Sequence, residues 1–170
     1  MKPTSWLTAA LLSFSAFAAH AQANIGCSRA GLANPANATY TIEGDTVTLT
    51  NGERSQPAAP GSHAMHETKL IEGAQACGEF DGQPVTVVLL SDDPGGSGTS
   101  YYLAAVPKDG HSFPAVLLGD RILPKSVLIE NDLIVMTYLD RPANAPMASP
   151  PTVKTMRRFG LQHGHLVDQP

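Results

Sequence analysis

The sequence predicts a mainly β protein, folded as one domain in an antiparallel sandwich or a curled sheet of eight to ten strands. Three observations predict it. Apolar and polar residues alternate over short runs from about residue 38 onward. Turn signals recur between those runs, and the chain holds 15 glycines and 14 prolines in 170 residues. Beyond the N-terminal stretch, no window of a dozen residues shows a clean helical period.

The elements follow in order. "ATYTIE" and "TVTLT" flank Gly44-Asp45, a two-residue hairpin signal. Asn51-Gly52 is a second turn, and residues 53 to 64, "ERSQPAAPGSHA", read as a proline-bearing loop. "HETKLIEG" is a short strand. Asp81-Gly82 turns into "PVTVVLLS", an unbroken valine- and leucine-rich run that marks a central strand buried on both faces. "TSYYLAAV" is the next strand, closed by the turn Pro107-Lys108-Asp109-Gly110. "FPAVLLGDRI", "KSVLIE" and "LIVMTYLD" follow, the last two joined at Asn131-Asp132. "DRPANAPMASPP" is a long proline-rich connection, and "TVKTMRRFGL" is the final strand, with a frayed end beyond it.

The N-terminus carries an export signature. Lys2 supplies a positive start, Trp6 to Ala19 is uncharged and mostly apolar, and Ala19-His20-Ala21 and Ala21-Gln22-Ala23 both fit a small-x-small cleavage rule. Residues 1–21 therefore read as a signal peptide, cleaved after Ala21 or Ala23, and 22–170 as a single β domain in the periplasm. The stretch is too short for a membrane anchor. Removing Lys2 leaves ten basic against fifteen acidic residues, a net charge of −5 with histidine neutral. That balance, with no basic stripe, excludes a nucleic-acid binder. Cys27 and Cys77 are the only cysteines. An even count in an oxidising compartment predicts a disulfide between them, and no Cys-x-x-Cys spacing points to redox catalysis.

"SDDPGGSGTSYY" poses the question of chemistry. A phosphate-binding loop needs a lysine after its last glycine and a helix behind it; here neither is present. A nucleophile elbow needs Gly-x-Ser-x-Gly, and Gly95-Gly96-Ser97-Gly98-Thr99 fails at the last position. The stretch reads as a mobile hairpin loop. His63, His66 and Glu67 lack the His-Glu-x-x-His order, and His163 and His165 are two imidazoles on one side of a strand without a third ligand. Asp81, Asp92 and Asp93 lack the calcium-loop spacing. The expectation is no metal and no cofactor. Asp120-Arg121 and Asp140-Arg141 each end an apolar strand. They read as ion pairs closing strand ends, with an active site as the alternative.

Several segments carry a resemblance. "DPGGSGTSYYLAAV", "LLGDRI", "YLDRPANAPMASPP" and "TVK", in that order, resemble a group of small exported bacterial β-domain proteins that is uncharacterised as a group. The resemblance covers residues 85 to 154 and part of the hairpin between 38 and 52, and it implies no enzyme, ligand or catalytic residue. Size, acidity and architecture also resemble, in a general way, periplasmic immunity proteins that neutralise cell-wall amidases delivered by type VI secretion. The expectation is a protein-binding module: an inhibitor or immunity protein that occludes the active site of a cell-wall-degrading toxin. The alternatives are an exported hydrolase using the Asp-Arg pairs, or a structural envelope protein. The expected contact is the loop between Pro107 and Pro114. Lys108, Asp109, Gly110, His111 and Ser112 form its polar tip, and Phe113 is its apolar anchor. The bracketing prolines fix φ and lower the entropy lost on docking.

Overall fold

The computed structural model describes Cys27 and residues 31–170. The expected signal peptide and both cleavage positions lie outside these residues. Among the described residues, no helix is long and apolar enough to cross a membrane.

The chain is mainly β, as the alternation predicts. After one 3-10 turn (Pro35–Asn37) come twelve strands: β1 (Thr39–Ile42), β2 (Asp45–Thr48), β3 (Glu53–Pro57), β4 (Met65–Phe80), β5 (Gln83–Asp93), β6 (Ser100–Pro107), β7 (His111–Pro114), β8 (Val116–Asp120), β9 (Leu123–Glu130), β10 (Leu133–Asp140), β11 (Val153–Gln162) and β12 (His165–Gln169). They form three sheets, in the orders β3-β4-β5-β6-β8, β2-β1-β7 and β12-β11-β10-β9. All pairings are antiparallel except β1 with β7.

The five-stranded sheet is the middle layer, and β5 shows why. Successive side chains on a strand point to opposite faces, yet Val85 through Leu90 are all buried. Val85, Val87 and Leu89 join Leu103 and Ala105 of β6 in a core shared with Ile134, Met136, Tyr138 and Phe159 of the four-stranded sheet. Val88 and Leu90 join Tyr102, Ala104 and Val106 in a second core, under Tyr40, Ile42, Val47 and Leu49. The apolar run read as a doubly buried strand is therefore the spine of a three-layer sandwich.

Four features depart from the sequence reading. The first hairpin turns at Glu43-Gly44, with φ of 51° and 93°, and Asp45 already belongs to β2. Such tight turns need positive φ at both central residues, and here a glutamate accepts it. Residues 53–57, read as loop, form edge strand β3. Its side chains are polar on both faces, so no alternation reveals it, and Pro57 sits at its end, where a missing N–H costs little. β4 runs twice as far as expected, through a bulge in which Ile71 to Ala74 face a single β5 residue. The bulge turns the far half of β4 toward β9, where Gly78 packs against Ile129. Finally, the chain end is not frayed. His163-Gly164 is a positive-φ turn, and β12 returns along β11.

Cys27 and Cys77 are bonded, with Cα atoms 5.5 Å apart. The bond ties the N-terminal segment to the far half of β4. Thr86, paired with Cys77 across the ladder, is buried, and its hydroxyl lies 3.6 Å from the Cys77 sulfur. An oxidised sulfur can only accept, so the threonine is the donor.

Candidate functional site

One face of the central sheet changes character along its length. On β5, the residues that face the small sheet read Thr86, Val88, Leu90, Asp92. Leu70, Leu90 and Tyr102 stand side by side at the covered end. One row further, Arg54, Thr68, Asp92 and Ser100 stand side by side across β3, β4, β5 and β6. The β1-β2 hairpin stops at that boundary. Its tip and the polar row enclose a notch of about 550 Å³.

Hydrogen bonds fix the walls. The Thr68 hydroxyl donates to Asp92 Oδ1 at 2.7 Å, and His66 Nε2 lies 2.9 Å from the same oxygen. Thr68 is fully buried, so Asp92 is held from below. The Tyr102 hydroxyl donates to Glu43 Oε1 at 2.8 Å. Burial, reinforced by the Glu43 carboxylate, pushes the Tyr102 phenol up to about 12. Glu43 keeps its positive φ while its side chain is held in this bond. On the edge strand, Arg54 Nη2 donates to Gln56 Oε1 at 2.6 Å. His66 and Asp92 make an acid-base couple. Among the described residues no hydroxyl or thiol is hydrogen-bonded to His66, so the couple lacks the nucleophile-to-base contact of covalent catalysis. The notch is lined by charged and hydrogen-bonding groups.

The two Asp-Arg couples, twenty positions apart in sequence, meet in space. Arg121 Nη1 and Arg141 Nη1 donate to the same carbonyl, that of Met147, at 3.1 and 3.2 Å. Asp120 Oδ2 lies 3.5 Å from Arg121 Nε and 3.5 Å from Arg141 Nη2. Asp120 Oδ1 accepts from Thr99 N at 3.0 Å, and Arg121 also donates to the Ser97 carbonyl. Asp120 and the two arginines thus clamp the proline-rich connection and the glycine-rich hairpin onto the ends of β8 and β10. The expected Asp140-Arg141 ion pair is replaced by one between Arg141 and Asp120, and the Asp140 side chain accepts only from Arg141 N among the described residues.

That clamp holds the ends of the glycine-rich stretch, which joins β5 to β6 as a hairpin connection. Asp93 Oδ1 accepts from Gly95 N, and Arg121 N donates to the Thr99 carbonyl. Gly95, at φ 87°, sits so close to its neighbours that a Cβ would lie 2.9 Å from the Met65 carbonyl and from Ala58.

The loop from Pro107 to Pro114 is more engaged than its sequence implies. Lys108 and Asp109 occupy an exposed turn, and His111 is exposed. The Gly110 carbonyl accepts from Thr39 N, and the Ser112 hydroxyl accepts from Thr41 N at 3.2 Å. Phe113 packs against the larger core. Ser112 and Phe113 therefore anchor β7 to the fold. Among the described residues, no group of three or more His, Cys, Asp or Glu side chains comes together for a metal ion. His163 lies in a turn and His165 on β12, not together on one strand face.

The notch was missed because its residues come from five separate segments and none forms a motif. Its signal in the sequence is parity. His66 and Thr68 continue the series that ends in Leu70, and Asp92 continues Val88 and Leu90. No family model matches the chain, and no curated protein or solved structure matches it either.

Proposed function

We propose that the chain is a protein-binding module of the bacterial envelope, an inhibitor that covers the active site of a cell-wall-degrading enzyme. The observation that supports this reading is the outer face of the four-stranded sheet. Leu123 stands beside Leu139, Thr137 beside Met156, and Leu128 beside Val135. Paired residues share a face, and the alternate set, Ile134, Met136 and Tyr138, fills the core. Leu123, Leu128 and Met156 are exposed at 45%, 37% and 49%. An exposed apolar patch rimmed by charge is the signature of a protein contact. Lys154 and Arg158 stand in the same rows and Glu130 beside Leu133 on the same face, so the fitting partner carries an apolar patch with a mainly acidic rim. The export signature and the disulfide agree with an envelope setting. The Asp-Arg couples give less support to a hydrolase, since both guanidiniums are already committed to Met147 and Asp120.

The test is inhibition. The oxidised chain is titrated against a panel of purified peptidoglycan amidases and glycosidases, with release of wall fragments as readout. The expected result is stoichiometric inhibition of one enzyme, lost in Leu128→Asp and Met156→Asp, whose exposed positions leave the fold intact. Replacing Lys108, Asp109 and His111 by alanine tests whether the β6-β7 turn adds to the same contact. Full activity of every enzyme at excess chain would overturn the proposal.

A further inference from the structure

The notch faces the small sheet, whereas the proposed partner surface is the outer face of the four-stranded sheet. The two therefore stand or fall separately. Three charges in the notch, Glu43, Asp45 and Arg54, are unmatched. Glu43 and Asp45 lie at the hairpin tip, and among the described residues neither has a Lys, Arg or His nitrogen within 4.0 Å. Arg54, on β3, has no carboxylate within that distance among the described residues, and its side-chain hydrogen bond goes to neutral Gln56. The cavity keeps opposite charges apart that would otherwise pair, and its volume falls within the usual range for small-molecule sites, about 300 to 1,000 Å³.

The carboxylates are also pre-oriented. Tyr102 holds one oxygen of Glu43, and Thr68 with His66 holds one oxygen of Asp92. No described side chain takes the second oxygen of either. The groups doing the holding are themselves fixed, Tyr102 at 3% exposure and Thr68 at 0%. Ile42 and Val47, both buried, supply an apolar wall. A guanidinium offers a planar fork to a carboxylate, and the free carboxylate oxygens accept from an ammonium. With three carboxylates against one guanidinium, the notch favours a ligand with more positive than negative charge.

We infer that the notch binds a small basic zwitterion of the diamino-acid class, its carboxylate on Arg54 and an ammonium between Glu43 and Asp92. This ligand gives both Arg54 and Glu43 a partner of opposite charge, which neither a simple amine nor a neutral sugar does.

The experiment is a titration of the isotope-labelled, oxidised chain, followed by amide chemical shifts. The probes are L-lysine, cadaverine (the same diamine without the carboxylate) and glucose. L-lysine should give saturable shifts confined to residues around the notch. Cadaverine should bind about tenfold more weakly, and glucose should not bind. Glu43→Gln, which still accepts from Tyr102, should weaken both amines about tenfold. Arg54→Gln should bring L-lysine down to the level of cadaverine and spare cadaverine. Thermal melting confirms that both variants are folded. If Arg54→Gln does not fold, the cadaverine comparison and Glu43→Gln carry the test. Four results would each overturn the inference: no saturable shift with L-lysine, shifts centred elsewhere, glucose binding at equal strength, or unchanged affinity in the folded variants.

Discussion

Leu89 and Leu90 are neighbours on β5 that point to opposite faces of one sheet. Both are fully buried, Leu89 under the four-stranded sheet and Leu90 under the small one. In a two-layer sandwich one of them would face water, and trimming it would change stability by less than about 0.5 kcal/mol. In three layers both trims leave a cavity. Leu→Ala at a closed core site costs about 2 to 5 kcal/mol, and more where the surroundings cannot collapse. The small sheet has only three strands, so its side collapses more readily. Leu89→Ala is therefore expected near the upper end of that range and Leu90→Ala near the lower. A domain of this size is stable by about 5 to 15 kcal/mol, so either change removes a large share. The assay is urea unfolding followed by circular dichroism, with midpoint and slope fitted for each variant. A Leu90→Ala midpoint equal to wild type would refute the three-layer packing.

Three further outcomes are expected. Thiol labelling of the native chain should find no free cysteine, and replacing Cys27 and Cys77 by serine should cost about 4 kcal/mol by chain entropy for a 50-residue separation; two labelled thiols per chain would contradict the bond. Arg141→Ala should cost about 1 to 3 kcal/mol, because it strips Asp120 and Met147 of a partly buried partner, while the more exposed Arg121→Ala should cost about 1 kcal/mol or less; thermal melts of the pair would expose a reversed order. Alkaline stability should follow two buried phenols, Tyr40 and Tyr102, both raised by burial. Tyr102 is raised to about 12 from an ordinary value near 10, so its contribution is complete below pH 10 and is lost as pH rises from 10 through 12. Tyr102→Phe should flatten that fall in part and Tyr40→Phe the remainder, and an equally steep fall in the Tyr102→Phe, Tyr40→Phe double variant would show that another group is responsible.

What the sequence made legible was whatever a single strand reports about itself. Alternation located β1, β2, β6, β9 and β10, and the unbroken run of β5 revealed two covered faces. Positive-φ pairs such as Asp81-Gly82 and Asn131-Asp132 marked true turns. The edge strand β3 was illegible because a strand that buries neither face carries no period. β12 was hidden by its shortness and by histidines that look like ligands. The notch was illegible for a different reason: its residues are ordinary polar side chains, and only the register of four strands puts Arg54, Thr68, Asp92 and Ser100 in one row. The part Ser112 and Phe113 play in the fold was illegible because the parallel pairing of β7 with β1 cannot be read from either segment alone.

That parallel pairing also governs the order in which the molecule is assembled. Thr39 meets His111 seventy-two positions later, whereas the β1-β2 hairpin closes over two residues. The hairpin can form within microseconds, but it has nothing to dock on until β5, β6 and β7 are in place. Until then Tyr40, Ile42 and Val47 face water. Long-range closure of this kind makes all-β chains slow to fold and exposes them to association while they wait. A chain stalled before residue 111 would present a sticky, unfinished layer, which makes that interval the point at which a chaperone would find its grip.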